Sequence, residues 1–140
     1  MKIKKVTVGV FLLNEDNEVL LHLRDNKPSL FMANMWTCLG GSIEENETSE
    51  QAAFRELKEE IDFIPKKLSY LVRYTHNDRL VDIFFTHVDF KDPSFLPVNE
   101  GICLKFYSFK EIYGLYKDGK TNIDIINQIK ILKPAVLKEI

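Results

Sequence analysis

Three glutamates, Glu56, Glu59 and Glu60, are related by spacings of three, four and one residues. On an α-helix those spacings bring the carboxylates to neighbouring positions, where each like-charge pair costs about 0.2–0.5 kcal/mol when exposed and more when dehydrated. The surrounding stretch sharpens the imbalance: between positions 41 and 62, Glu44, Glu45, Glu47, Glu50, Glu56, Glu59, Glu60 and Asp62 are set against only Arg55 and Lys58. For the helix taken alone two readings stand, a solvated acidic face or carboxylates held together by a cation. Hard carboxylate oxygens select Mg²⁺, Mn²⁺ or Ca²⁺ over zinc. Because Mg²⁺ usually keeps several waters and is completed by substrate phosphates, clustered glutamates of this kind suggest phosphoryl chemistry.

The elements that must position these groups can be read around them. Thr48 is placed as an N-cap and Gln51, three residues on, completes a capping box for a helix running to about Ile61. Within it Ala53, Leu57 and Ile61 form an apolar stripe, and Glu56, Glu59 and Glu60 a second, acidic one. Upstream, the apolar runs 6–13 and 18–24, split by the polar cluster 14–17, predict a hairpin. Residues 25–34 predict a loop leading to a short strand over 36–39, punctuated by Gly40 and Gly41. Downstream, 68–75 and 80–88 predict two strands turned at 76–78, then a loop over 90–99 and a strand over 102–108. Helical patterns follow at 109–116 and from 121 to about 132, where Pro134 is expected to stop the chain. Strands separated and then followed by helices predict an α+β domain, a mixed sheet with helices packed on it.

Composition narrows the alternatives. A chain of 140 residues is expected to form one domain. A net charge of −2 provides no basic field for a nucleic-acid polymer. Cys38 and Cys103, alone, make neither a disulfide framework nor a zinc pair, so a reducing, cytoplasmic setting is the natural expectation. The apolar run 6–13 is followed at once by Asn14, Glu15, Asp16 and Asn17, without a cleavage pattern, and reads as a first strand rather than a secretory signal. No apolar run reaches the ~20 residues needed to span a bilayer. His22, His76 and His87 show no local ligand spacing and carry no argument.

The intervals decide between the two readings of the helix. Five residues separate Gly41 from Glu47 and seven separate Glu47 from Arg55, which is followed directly by Glu56, Leu57, Lys58, Glu59, Glu60, Ile61, Asp62 and Phe63. This run resembles the Nudix box at eight of nine specified positions if Phe63 serves as the final apolar residue. The flanking 36–40 segment, Ile43, Glu44 and Thr48 are also similar to Nudix sequences. One position departs: Asp62 stands where the box has a glycine that lets the chain leave the helix through a left-handed turn. Aspartate tolerates that conformation better than most residues, so a modest loss of stability is expected. Leu39 stands where many relatives have proline, and Asn46 where many have glycine.

The resemblance implies a Nudix fold, a mixed sheet sandwiched by helices in α/β/α layers. It also implies hydrolysis of the diphosphate linkage of a nucleoside diphosphate joined to another moiety: a nucleoside triphosphate, an oxidised one included, or a nucleotide sugar. Mg²⁺, with Mn²⁺ as a substitute, is the implied cofactor. Glu56, Glu59 and Glu60 would be ligands from the helix, with the backbone carbonyl of Gly40 and, beyond the box, Glu100 joining them; a solvated loop glutamate is the alternative for Glu100. Which glutamate serves as base stays open. Arg55 would pair with Glu47 and tie loop to helix, or else touch phosphate. Arg24 is placed like an arginine that contacts phosphate in some relatives, and Trp36 either stacks on a base or belongs to the core. Gly41 and Gly40 would permit close backbone approach, with a simple tight turn as the alternative. The partner is a small nucleotide or other diphosphate; homodimers occur among many relatives, and the sequence is silent on oligomeric state. Two other readings remain: a catalytically weak Nudix-fold binding or sensor module, disfavoured by the three glutamates, and a Nudix isomerase, weakened by the short chain.

Overall fold

The computed structural model describes residues 5–25, 33–76, 78–101 and 103–137. Most of the 25–34 loop, Asn77 of the expected turn and Ile102 at the start of the expected late strand lie outside the described residues.

Strand β1 (Lys5–Leu13) runs through the middle of the sheet and alternates strictly, Phe11 and Leu13 pointing to one face, Val8, Val10 and Leu12 to the other. A strand buried on both faces is apolar throughout, which is why this run looked superficially like a signal peptide. β1 turns through Asn14, whose side-chain oxygen accepts from the N–H groups of Asp16 and Glu18, into β2 (Val19–Leu23), its antiparallel neighbour. The strands β3 (Trp36–Thr37) and β4 (Leu39–Ser42) follow, then helix α1 (Ser49–Ile61), β5 (Ser69–His76) and β6 (Arg79–His87). A single 3-10 turn (Pro93–Phe95), β7 (Cys103–Tyr107), α2 (Phe109–Lys117) and α3 (Ile123–Leu137) complete the described chain. The sheet order is β3-β2-β1-β6-β5, with β4 pairing β1 and β7 pairing β2. Only β1 and β6 run parallel among the paired strands, so the sheet is mixed.

Two cores sandwich this sheet. On one face Val8, Val10, Leu12, Leu20 and Phe84 pack against Ala52, Ala53, Leu57 and Ile61 of α1. On the other, Phe11, Leu13, Leu21 and Ile83 meet Ile112 of α2 and Ile125, Ile129 and Leu132 of α3. The α/β/α layering is therefore as expected. Leu57 is fully buried, so truncation to alanine would cost about 2–5 kcal/mol.

Two expectations need correction. Gly40 and Gly41 do not end a strand as a turn: they lie inside β4, paired with Gly9 and Val8 of β1. At Gly40, φ is +142° and a Cβ would come within 2.0 Å of the Val8 carbonyl oxygen, so only glycine fits. Pro134 does not stop the last helix, which continues to Leu137. The proline is exposed, so the Lys130 carbonyl that loses its helical partner can turn to water, while Leu132 and Val136, buried on either side, hold the helix to the core. None of the described helices is long and apolar enough to cross a membrane.

Candidate active site

Helix α1 starts at a complete capping box, with Thr48 accepting from the Gln51 N–H at 3.1 Å and Gln51 accepting from the Thr48 N–H at 2.9 Å. Its end is as the sequence suggested: Asp62 adopts the left-handed conformation (φ 50°, ψ 42°) and its N–H closes on the Lys58 carbonyl. Asn46, also at a position where relatives carry glycine, has φ +64°.

The acidic stripe divides into two environments. Ala52, Glu56 and Glu60 share the i, i+4 row that turns towards β4, and both glutamates are buried; Glu59, one position round, stays half-exposed. Glu60 is only 2% exposed. Its Oε1 accepts the Gly40 N–H at 2.8 Å, which requires the bare backbone of β4 to lie against the helix. Gly41 does the same for Glu56, whose Oε1 would sit 2.5 Å from a Cβ at that position. Burial pushes the Glu60 carboxyl up to about 8, the Gly40 N–H opposing and the charges of Glu56 and Glu100 adding to the rise. Burial also raises Glu56, against the pull of Arg55.

Arg55 is the hub of the site. Its Nε and Nη2 form a fork on Glu47 (2.7 and 2.9 Å), Nη2 also donates to the Ser42 carbonyl at 2.9 Å, and Nη1 reaches Glu56 at 3.0 Å and Glu59 at 3.2 Å. The guanidinium thus ties the 42–47 loop to the helix and partly neutralises two of the three glutamates. Hydrogen bonding to Arg55 holds Glu47 below the usual carboxylate range, and the same bonds, Glu47 first, hold Arg55 firmly protonated.

Glu100 is exposed in a loop docked on the end of α1: the Asn99 N–H donates to the Glu60 carbonyl and its Nδ2 to the Glu59 carbonyl, both at 2.9 Å. The Glu100 charge is felt at both Glu56 and Glu60. Arg24, two residues past the buried His22, lies close enough to Glu60 to favour its ionised form. The Arg24 Nε is buried and makes no hydrogen bond among the described residues.

Trp36 of β3 pairs with Leu23, next to Arg24, and is half-buried. Its ring meets Tyr107 edge-on, centroids 5.0 Å apart, and packs against the α2/α3 core, while its carbonyl accepts the Thr121 hydroxyl at 2.7 Å. The core alternative describes that environment.

Among the described residues no three His, Cys, Asp or Glu side chains converge as a ready-made metal cage. Glu56 and Glu59 are engaged by Arg55, and Glu60 by the Gly40 amide. The donor set nevertheless suits a hard divalent cation: four carboxylates border one place, and two of them have proton affinities raised by burial, so added positive charge would relieve them.

A cleft of about 330 Å³ opens beside this place, floored by Gly40, Gly41 and Ser42 and bordered by Arg24. Its far wall carries polar groups that no local pattern revealed: Tyr74, bonded to Gln128 at 2.6 Å, and His76, 3.4 Å from Asp124. His22 was also passed over. It is 4% exposed, with Nε2 3.9 Å from Glu60 Oε2, and burial, helped by the Arg24 charge, drives its pKa down to about 4, so it is neutral. A period-of-two count from Leu20, which packs on the α1 face, would have turned His22 towards the glutamates.

Residues 3–128 match the family model described as the NUDIX domain. The 8-oxo-dGTP diphosphatase of Escherichia coli is 36% identical over 91 residues, spanning 64% of this chain and 68% of that protein. The ADP-ribose pyrophosphatase of Methanocaldococcus jannaschii is 40% identical over 68 residues, 49% of this chain, but the match spans only 38% of that longer protein. Among solved structures, the NUDIX domain of Shewanella oneidensis NrtR, complexed with ADP ribose, superposes with a TM-score of 0.76 at 19% identity, covering 97% of this chain and 90% of that one. That likeness shows the fold; the box, its geometry and the family match together show that this chain belongs to the Nudix family.

Proposed function

We propose that this chain is a Mg²⁺-dependent diphosphatase acting on a nucleoside diphosphate joined to a second moiety, with nucleoside triphosphates and ADP-ribose-like nucleotide sugars as the first substrates to examine. The observation that carries the reading is that Glu56, Glu59, Glu60 and Glu100 lie within electrostatic reach of one another, and Arg24 of Glu60, beside a cleft bordered by Arg24, whose buried Nε has no hydrogen-bond partner among the described residues. Carboxylates alone would repel a diphosphate, and an arginine alone would only bind it. Together they suit a substrate that arrives with its own divalent cation. The names of the E. coli and M. jannaschii relatives, both diphosphate-cleaving enzymes, support the reaction class.

When bound, Mg²⁺ would neutralise charge on the diphosphate oxygens and acidify the attacking water; Mn²⁺ offers the same hard-ligand chemistry. Glu56, Glu59, Glu60 and Glu100 are the side chains to hold it, with the Gly40 carbonyl contributed by β4. Arg55 fixes Glu56 and Glu59 through Nη1 while its other nitrogens are committed to Glu47 and Ser42, so its role is to position rather than to touch phosphate. Arg24 binds the diphosphate. Water attacks phosphorus, the P–O bond of the anhydride breaks, and a buried glutamate takes the proton; Glu56 and Glu60, whose proton affinity burial raises, are the two candidates. The leaving phosphate departs with the electron pair.

The test is phosphate or pyrophosphate release from nucleoside triphosphates, ADP-ribose, other nucleotide sugars, dinucleoside polyphosphates and CoA with Mg²⁺ or Mn²⁺. Turnover of at least one substrate, abolished in the double variant Glu59→Gln, Glu60→Gln, is the expected result. Activity surviving that double change overturns the mechanism. Binding without turnover of any substrate assigns the chain to the binding-module class instead.

A further inference from the structure

Glu100 is an exposed side chain on a loop, yet the proposed site needs it at a fixed place. What holds it there is a clamp on both sides. On one, Asn99 occupies two carbonyls at the end of α1, those of Glu59 and Glu60, carbonyls that have no partner inside the helix. On the other, Gly101 packs closely against the His22 ring: φ is +86°, and a Cβ there would stand 2.7 Å from His22 Cδ2, 3.3 Å from its Nε2 and 2.7 Å from the Leu23 carbonyl oxygen. The same Cδ2–Nε2 edge of the imidazole also faces Glu60, Nε2 to Oε2 3.9 Å, a separation too long for a hydrogen bond. His22 itself is locked in the sheet, between Thr37 of β3 and Leu104 of β7.

We infer that His22 and Gly101 form a positioning pair: the Cδ2–Nε2 edge of the buried imidazole sets the carboxylate of Glu60 and, through the bare backbone of Gly101, the reach of Glu100. Two carboxylates from distant parts of the chain are thereby indexed to one rigid ring. Neither His22 nor Gly101 touches substrate in this scheme. Partners of this kind around metal ligands typically change metal affinity by 10–100-fold when removed. The inference rests on the divalent-cation reading of the site.

The experiment is Mn²⁺ binding by the full chain without substrate, read as loss of the free-ion electron paramagnetic resonance signal, with thermal unfolding recorded alongside. Gly101→Ala is expected to weaken Mn²⁺ binding about tenfold with the chain still folded. Added to Glu100→Gln it should weaken binding little further, because its effect runs through Glu100. His22→Leu should weaken binding by about tenfold or more, and Glu100→Gln should not abolish its effect, since Glu60 is also released. If His22→Leu does not fold, Gly101→Ala and its double-mutant cycle carry the test alone. Unchanged Mn²⁺ affinity in folded Gly101→Ala, or full additivity with Glu100→Gln, overturns the positioning pair while leaving the metal reading intact. A wild-type chain that binds no Mn²⁺ overturns the metal reading and this inference with it.

Discussion

Replacing Arg55 by lysine keeps the charge and removes the fork, which isolates what geometry contributes to the site. The guanidinium reaches five acceptor groups through six hydrogen bonds of 2.7–3.3 Å: the two Glu47 oxygens, the Ser42 carbonyl, Glu56 and the Glu59 carboxylate. One ammonium cannot span these acceptors and would satisfy about two of them. Some three bonds are then lost, at about 1 kcal/mol each, a value between that of buried charge-assisted bonds and that of exposed pairs, because the arginine side chain is 21% exposed. A loss of about 3 kcal/mol in a domain of this size lowers the melting temperature by about 10 °C. Thermal unfolding followed by circular dichroism measures it, and kcat in the diphosphatase assay should fall about tenfold as Glu56 and Glu59 lose their holder. A melting temperature within 2 °C of wild type, roughly 0.5 kcal/mol, together with unchanged kcat, would refute the idea that Arg55 organises loop and helix.

Gly41→Ala should leave stability within about 1 kcal/mol, because the new Cβ strikes the flexible end of Glu56 at 2.5 Å, yet lower kcat about a hundredfold by displacing that carboxylate; Gly40→Ala, striking the Val8 backbone at 2.0 Å, should lose about 3 kcal/mol or more in denaturant unfolding. Asp62→Gly should change stability by less than about 1 kcal/mol, relief of the left-handed backbone being offset by a more flexible unfolded chain and loss of the exposed Lys58–Asp62 pair, with metal-dependent activity unchanged. Asp82 is buried and accepts a fork from Arg73 (2.7 and 2.8 Å) and the Ser49 hydroxyl, and the Arg73 bonds hold its carboxyl below the usual range. A carboxyl depressed in the folded state stabilises above its unfolded pKa, so Asp82→Asn should cost about 1–2 kcal/mol at pH 6–7. That difference should shrink as pH falls below about 4.

Local signals were enough wherever the physics is local. The capping box at Thr48 and Gln51, the left-handed exit at Asp62 and the apolar stripe Ala53, Leu57, Ile61 depend on residues within a few positions of one another, and the structure has each as read. Pro134 misled because its rule concerns an isolated helix, whereas burial of Leu132 and Val136 carries this helix past it. Gly40 and Gly41 were recognised as places of close backbone approach, but their position inside a strand is set by pairing with β1, thirty residues away in sequence. The split of the acidic row into buried Glu56 and Glu60 and exposed Glu59 likewise needed the sheet, since the helix alone does not say which side will be covered.

From the sequence by itself came the family, the helix that carries the glutamates, and the pairing of Arg55 with Glu47, because the box compresses them into 23 consecutive positions (41–63). Only the tertiary structure brought Glu100 and Arg24 within electrostatic reach of Glu60, set His22 against both Glu60 and Gly101, and walled the cleft with Tyr74, His76, Asp124 and Gln128. Those residues come from six separate strands, helices and loops, and their juxtaposition follows from strand order and register, long-range choices made by burial of the two core faces rather than by any local spacing.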